Sequence, residues 1–170
     1  MTTPPTKIYK DIVIVNDRDE VIGAKNLLVA MEEHLLRRTV RIFVYVSDGQ
    51  VLLQKRSQFV HKPGLYDMSA GGHVDHDESC AAAAKRELTE ELGLANATLE
   101  PIATSWRNAE SFSNVYKVLV TKTTPIKFDP YEVEQATWFS KATIDADVAN
   151  NPENFSPDFI STWQTWKHRL

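Results

Sequence analysis

Between residues 78 and 91 the chain carries Glu78, Arg86, Glu87, Glu90 and Glu91, residue types that bind and position multivalent cations. The stretch from about Ser79 to Leu92 has helical composition, opened by a serine and closed by Gly93. On such a helix Glu87, Glu90 and Glu91 stand at i, i+3 and i+4 and share one face. Like charges at that spacing repel and weaken an isolated helix by a few tenths of a kcal/mol per pair. A hard divalent cation reverses that term, because Mg²⁺ takes carboxylate oxygens and keeps waters for substrate phosphates. Three helical glutamates alone are more often a solvated acidic face, so the surrounding spacing has to decide. Gly71-Gly72 precedes the helix, and glycine there lets backbone approach a bound ion or phosphate closely. Arg86, four residues before Glu90, can orient an acid of the cluster, Glu78 among them, through a bidentate pair.

Taken whole, residues 72–94, GHVDHDESCAAAAKRELTEELGL, resemble the Nudix signature G-x5-E-x7-R-E-U-x-E-E-x-G-U, where U is a bulky aliphatic residue. Gly72, Glu78, Arg86, Glu87, Leu88, Glu90, Glu91, Gly93 and Leu94 match at every specified position. By average composition a chance match in such a chain has a probability on the order of 10⁻⁷, which sets the acidic-face reading aside. The resemblance implies an α/β protein with the Nudix fold, an α/β/α sandwich around a mixed central sheet. It implies Mg²⁺, with Mn²⁺ as a substitute, held by Glu87, Glu90, Glu91 and the Gly72 carbonyl. It also implies hydrolysis of a diphosphate linkage in a small X-linked nucleoside diphosphate or related molecule. Arg86 would position an acid, and Glu90, Glu91 and Glu132 would serve catalysis.

Beyond the box, four segments resemble the isopentenyl-diphosphate-isomerase-like branch of the same family. They are VIGAKN, the strand Val51-Leu52-Leu53-Gln54-Lys55-Arg56-Ser57, the approach PGLYDMSAGGH and the segment EVEQATWFS. A type 1 isomerase uses a catalytic cysteine just before its Gly-His pair. This chain has Gly71 there, and Cys80, its only cysteine, lies in the helix as a small packing residue. By spacing, Ala30 and Arg37 stand at the isomerase's two metal-histidine positions, and His34 falls out of register. With the box complete, these departures point to hydrolysis. Isomerisation and a non-catalytic nucleotide-binding module are the alternatives.

The elements that must hold these residues can be read from pattern. Residues 1–7 read as a loose arm, and a single domain is expected over 1–170. Asp11–Val15 and Glu20–Gly23 flank a turn, as do Thr39–Val46 and Gln50–Arg56, so two hairpins are expected. Leu27–Leu36 suggests a short helix, and Leu99–Trp106, Ser111–Thr121 and Ala136–Phe139 suggest strands. Ser156-Pro157-Asp158 opens a last helix expected to run almost to Leu170. On the box helix, Ala81, Ala84, Leu88 and Leu92 form the face expected against the sheet.

Arg56, at the end of a core strand, is a candidate phosphate contact, with a structural ion pair as its other reading. Gly71, Gly72 and His73 are candidate substrate contacts, although loop histidines are often only solvated. Glu132, in the pattern E-V-x-x-x-x-W, is the candidate loop base or supplementary ligand, with Glu134 two residues on. Trp106, Trp163 and Trp166 read as packing residues. A net charge of −4 and the lack of a basic tract argue against nucleic acid as partner. No stretch has the apolar length of a membrane span or signal peptide, so a cytoplasmic protein acting on a small-molecule diphosphate is expected, with room for a homodimer.

Overall fold

The structure, a computed structural model, describes residues 9–170. The arm expected over residues 1–7 lies outside the described residues. In chain order the elements are β1 (Asp11–Val15), β2 (Val21–Asn26), α1 (Leu27–Glu32), β3 (Arg37–Val46), β4 (Gln50–Arg56), β5 (Tyr66–Asp67) and β6 (Ala70–His73). Then come α2 (Cys80–Leu92), β7 (Glu100–Asn108), β8 (Ser111–Val120), β9 (Val133–Ser140), α3 (Lys141–Asn150) and α4 (Pro157–Trp166).

The strands join one mixed sheet organised by β3. Its run VRIFVYV is buried on both faces, as a strand in a parallel pairing must be. Along one edge β3 runs parallel to β8 from Arg37 opposite Ser111 to Val46 opposite Val120. Its other edge is divided among β1 at Arg37, β6 over Thr39–Ile42 and β4 at Val44–Tyr45. That division brings the Gly71-Gly72 pair to the middle of the sheet. β9 pairs antiparallel with β4 and delivers the residues before Val133 to the end of β4 at Arg56.

Strand alternation sends Val40, Ile42, Val44 and Leu52 to one face, where they meet Ala83, Ala84, Leu88 and Leu92 of α2. Phe43, Val51 and Leu53 point the other way, to Ile144 of α3 and Phe159 and Trp163 of α4. Helices therefore cover both faces, giving the expected α/β/α sandwich. Three expectations need correction. Ala81 is exposed, and Ala83 takes its place against the sheet, since residues 83, 84, 87 and 88 centre on the contact line. α1 stops at Glu32, and His34 turns the chain into β3 with a φ of 52°. α4 ends at Trp166, followed by a 3₁₀ turn over Lys167–Arg169. Among the described residues no helix is long and apolar enough to cross a membrane.

α2 ends in a Schellman-type cap: Leu94 N–H reaches the Leu88 carbonyl at 3.3 Å and Gly93 N–H the Thr89 carbonyl at 2.9 Å. Gly93 has a φ of 71°, and a Cβ there would meet Lys127 Cβ at 3.1 Å and its carbonyl at 3.2 Å. Gly93→Ala should therefore cost about 1–2 kcal/mol. In a domain of this size that is roughly 2–4 °C of Tm per kcal/mol, read by thermal denaturation. An unchanged Tm would show that the cap does not hold the helix end.

Candidate functional site

The site is built where α2 lies against β6. Ser79 caps the helix, its side chain accepting from Ala82 N–H at 3.2 Å. Ala83 and Ala84 keep the helix close to the sheet. Glu87 and Glu91, which flank that apolar stripe, are drawn inward to 8% and 4% exposure. Glu91 Oε2 accepts from Gly71 N–H at 3.1 Å and from Gln54 Nε2 at 3.2 Å. Glu87 lies over Gly72 so closely that a Cβ there would come within 2.0 Å of its Oε1. Gly72 is thus required for space and not for backbone conformation. The three box glutamates do not form an equal triplet. Glu90, one step further round, stays exposed at the rim.

One guanidinium organises this edge. Arg86 grips Glu78 with two bonds, Nε to Oε2 at 3.1 Å and Nη2 to Oε1 at 2.5 Å. Its Nη1 donates to Glu87 Oε1 at 2.8 Å and to Glu90 Oε2 at 3.3 Å, and Nη2 also reaches the His73 carbonyl at 3.0 Å. Glu78 Oε1 in turn accepts from Asp75 N–H at 2.9 Å, which closes the loop before the helix. Burial works against the Glu78 charge, yet Arg86 and that N–H hold its carboxyl below the usual range.

The buried pair behaves in the opposite way. Burial pushes Glu87 up to about 7, with Glu132 and Glu90 adding to the rise against the pull of Arg86. Glu91 is held well above the usual carboxylate range by burial, then by the charges of Glu87 and Glu132. The turn Asp129–Glu132 therefore brings Glu132 close enough for its charge to act on both. Glu134 is elsewhere: it is exposed and bonded to Lys55 Nζ at 2.9 Å. Among the described residues no three His, Cys, Asp or Glu side chains converge on one point as a ready-made metal cage. The donor set still fits Mg²⁺, which takes one or two carboxylates and keeps several waters. Its members are hard oxygens, and two of them, Glu87 and Glu91, are buried beside a glycine backbone and held above the usual carboxylate range.

Arg56 donates to buried Asp67 at 3.2 Å and to the His61 carbonyl at 2.7 Å, so it makes the ion pair. Its charge also lowers the pKa of Glu91, which sets it at the margin of the same site. His73 differs from expectation. Alternation along β6 turns its ring to the α4 face, away from Glu87 and Glu91, where Nε2 accepts from Arg37 Nε at 3.1 Å. Only its backbone carbonyl meets the box, through Arg86. Trp163 is fully buried, and Trp106 and Trp166 meet edge to face at 5.9 Å, as packing residues. Sequence reasoning passed over Gln54. A lone amide on the core face of VLLQKR, in register with Leu52, was the available signal.

The family model of the NUDIX domain matches residues 35–159. The isopentenyl-diphosphate Delta-isomerase of Serratia proteamaculans (strain 568) is 28% identical over 165 residues, covering 88% of this chain and 87% of that protein. The uncharacterized Nudix hydrolase YfcD of Escherichia coli (strain K12) is 27% identical over 160 residues, covering 92% and 86%. The crystal structure of DR0079 from Deinococcus radiodurans superposes with a TM-score of 0.81 at 26% identity, covering 92% of this chain and 99% of that one.

The placement of His73 makes a pH prediction. Burial, then the charge of Arg37, lowers its pKa from 6.5 to about 3. A group whose folded pKa is depressed stabilises the fold fully above its unfolded pKa and loses that contribution as pH falls towards the folded value. The protein should therefore lose stability between pH 6.5 and 3 through this ring. In His73→Gln, where the amide oxygen can still accept from Arg37, Tm should fall less steeply from pH 7 to pH 5 than in wild type. Parallel curves would show that the ring is not held neutral.

Proposed function

This chain belongs to the Nudix family, and from that premise we propose a Mg²⁺-dependent hydrolase, Mn²⁺ substituting, that cleaves the diphosphate linkage of a small X-linked nucleoside diphosphate. The observation that carries this reading is the buried pair Glu87 and Glu91, each destabilised as an anion by burial and by the other acids. Such a pair is held ready for a cation. Glu87, Glu91, the Gly72 carbonyl and, from the rim, Glu90 would hold it. A divalent cation bound there neutralises phosphate charge and lowers the pKa of water.

The chain's own residues divide the remaining work. Arg86 fixes Glu87 and Glu78, so the carboxylates need no rearrangement when substrate arrives. Arg56 offers its guanidinium to a substrate phosphate from the margin, while Asp67 and the His61 carbonyl keep it oriented. Gly71 and Gly72 do not offer a phosphate the open backbone expected of them, since the Gly71 N–H is on Glu91 and the Glu87 carboxylate fills the space over Gly72. Glu132 takes the proton of the attacking water, since Glu91 is enclosed and its Oε2 already accepts two hydrogen bonds.

The isomerase-named relatives make alkene migration the rival reaction. It calls for a thiol where this chain has Gly71, and Arg37 stands at a metal-histidine position with its guanidinium on His73. Incubation with nucleoside diphosphate sugars, dinucleotide polyphosphates, nucleoside triphosphates and isopentenyl diphosphate, each with Mg²⁺, separates the two. Formation of a nucleoside monophosphate from one of the nucleotides supports hydrolysis. Migration of the double bond without phosphate release would overturn it.

Three variants test the assignments. Glu91→Gln should keep the fold and lower hydrolysis by more than about 10²-fold, because one anionic ligand is gone. Its metal-free form should be no less stable at pH 8, since a disfavoured buried charge is removed. Near-native turnover would sink the metal assignment. Glu132→Gln should lower kcat by about 10²-fold or more with little change in KM. Glu134→Gln, by contrast, should stay close to wild type. Equal kinetics in wild type, Glu132→Gln and Glu134→Gln would show that the box alone carries the chemistry.

A further inference from the structure

The segment after β4 and the turn before β9 are locked together at their bases. Ser57, buried, donates its hydroxyl to the Tyr131 carbonyl and its N–H to the Glu132 carbonyl, the latter at 3.0 Å. The same hydroxyl accepts from Phe59 N–H at 3.1 Å. Arg56 closes the loop from below through the His61 carbonyl, and Gly64 N–H returns to the Arg56 carbonyl at 2.9 Å. Above this base the rings of Phe59 and Tyr131 stack in parallel, 5.4 Å between centroids and 5° between planes. Phe59 nevertheless remains 43% exposed.

A large aromatic ring left in water is ordinarily turned inward or left loose. Phe59 is neither. Its backbone is fixed by Ser57 and one ring face by Tyr131, so its exposed surface is presented without a further entropic cost. Tyr131 is the residue before Glu132, and Phe59 lies three residues after Arg56. The aromatic pair therefore sits on the same two loops that carry the phosphate-contacting and proton-accepting residues of the proposed reaction. We propose that Phe59, backed by Tyr131, is the stacking platform for the aromatic base of the substrate, and so selects nucleoside diphosphates over diphosphates with aliphatic groups. This rests on the reading of Arg56 and Glu132 given above. A flat base can extend the existing stack, while a branched aliphatic chain has no matching face to offer.

The test is binding, so that it can be read whether or not turnover is found. The probes are the non-hydrolysable α,β-methylene-ADP, methylene diphosphonate and isopentenyl diphosphate, titrated calorimetrically with Mg²⁺ into wild type, Phe59→Ala, Phe59→Leu and Phe59→Trp. Wild type should prefer the adenosine compound to the bare diphosphonate. Phe59→Ala should weaken the adenosine compound roughly 10-fold and leave the diphosphonate unchanged. Phe59→Trp should keep the affinity. Phe59→Leu, which retains apolar contact with Tyr131, should lose it even if the alanine variant fails to fold. Three results would overturn the proposal: no preference in wild type, equal weakening of both phosphonates, or an equal loss for isopentenyl diphosphate. The second would mark the pair as a loop staple, and the third as a plain apolar grip. Failure of wild type to cleave any nucleotide would overturn the hydrolase reading separately, with this preference still measurable.

Discussion

Two carboxylates pressed against the backbone of a sheet strand are the constraint around which this molecule is arranged. Burying an acid without a partner is costly, and burying two near each other is more so. Every neighbouring choice lowers that cost or uses it. Gly72 leaves the space that the Glu87 carboxylate fills, and the Gly71 N–H meets Glu91. Ala83 and Ala84 let the helix come close enough for both contacts. Arg86, itself held by Glu78, supplies the compensating charge on the open side. On the inner side Glu91 is supported by Gln54, the Gly71 N–H and the charge of Arg56, against the cost that burial, Glu87 and Glu132 impose on it.

The two faces of β3 separate function from architecture. The face covered by α2 carries the acids. The face covered by α4 buries Arg41 at 4% exposure, where it bonds Ser113 and Thr162 and pairs with Asp158. Burial lowers the Arg41 pKa, but a guanidinium stays charged and must keep those partners. The partners lie on β8 and α4, so the charge fixes where the second helical layer docks. His73 joins that polar layer as a neutral acceptor for Arg37. One short strand, β6, thus serves both faces: Gly72 leaves room for an acid, and the next residue turns its ring to the opposite face, where it accepts from Arg37.

Much of this was legible in the sequence because spacing alone carries it. The box fixed the helix, its cap at Gly93 and the Arg86–Glu78 pair, all of which depend on residues within one turn or loop of each other. What did not show was orientation set from a distance. His73 reads as a companion of Gly72 until β6 is known to be a strand, and then alternation sends its ring to the other face. Glu87, Glu90 and Glu91 share a helical face on paper. The depth to which each is buried depends on how closely α2 approaches the sheet, which two alanines decide. Arg56 shows the same limit, since the Asp67 that pairs with it comes from a two-residue strand with no signal of its own.

The register of β6 against β3 also bears on which chemistry the fold can host. Gly71 stands opposite Arg41 in that pairing, and a Cβ added to it would lie 2.8 Å from the Val40 carbonyl oxygen. That contact is with backbone at the centre of the sheet, which cannot swing aside as the end of a side chain would. A thiol at this position would require β3 and β6 to separate. Separation would draw the Gly71 N–H from Glu91 and move Gly72 under Glu87. The close strand packing that leaves no room for an isomerase-type cysteine is therefore the same packing that holds the two buried acids.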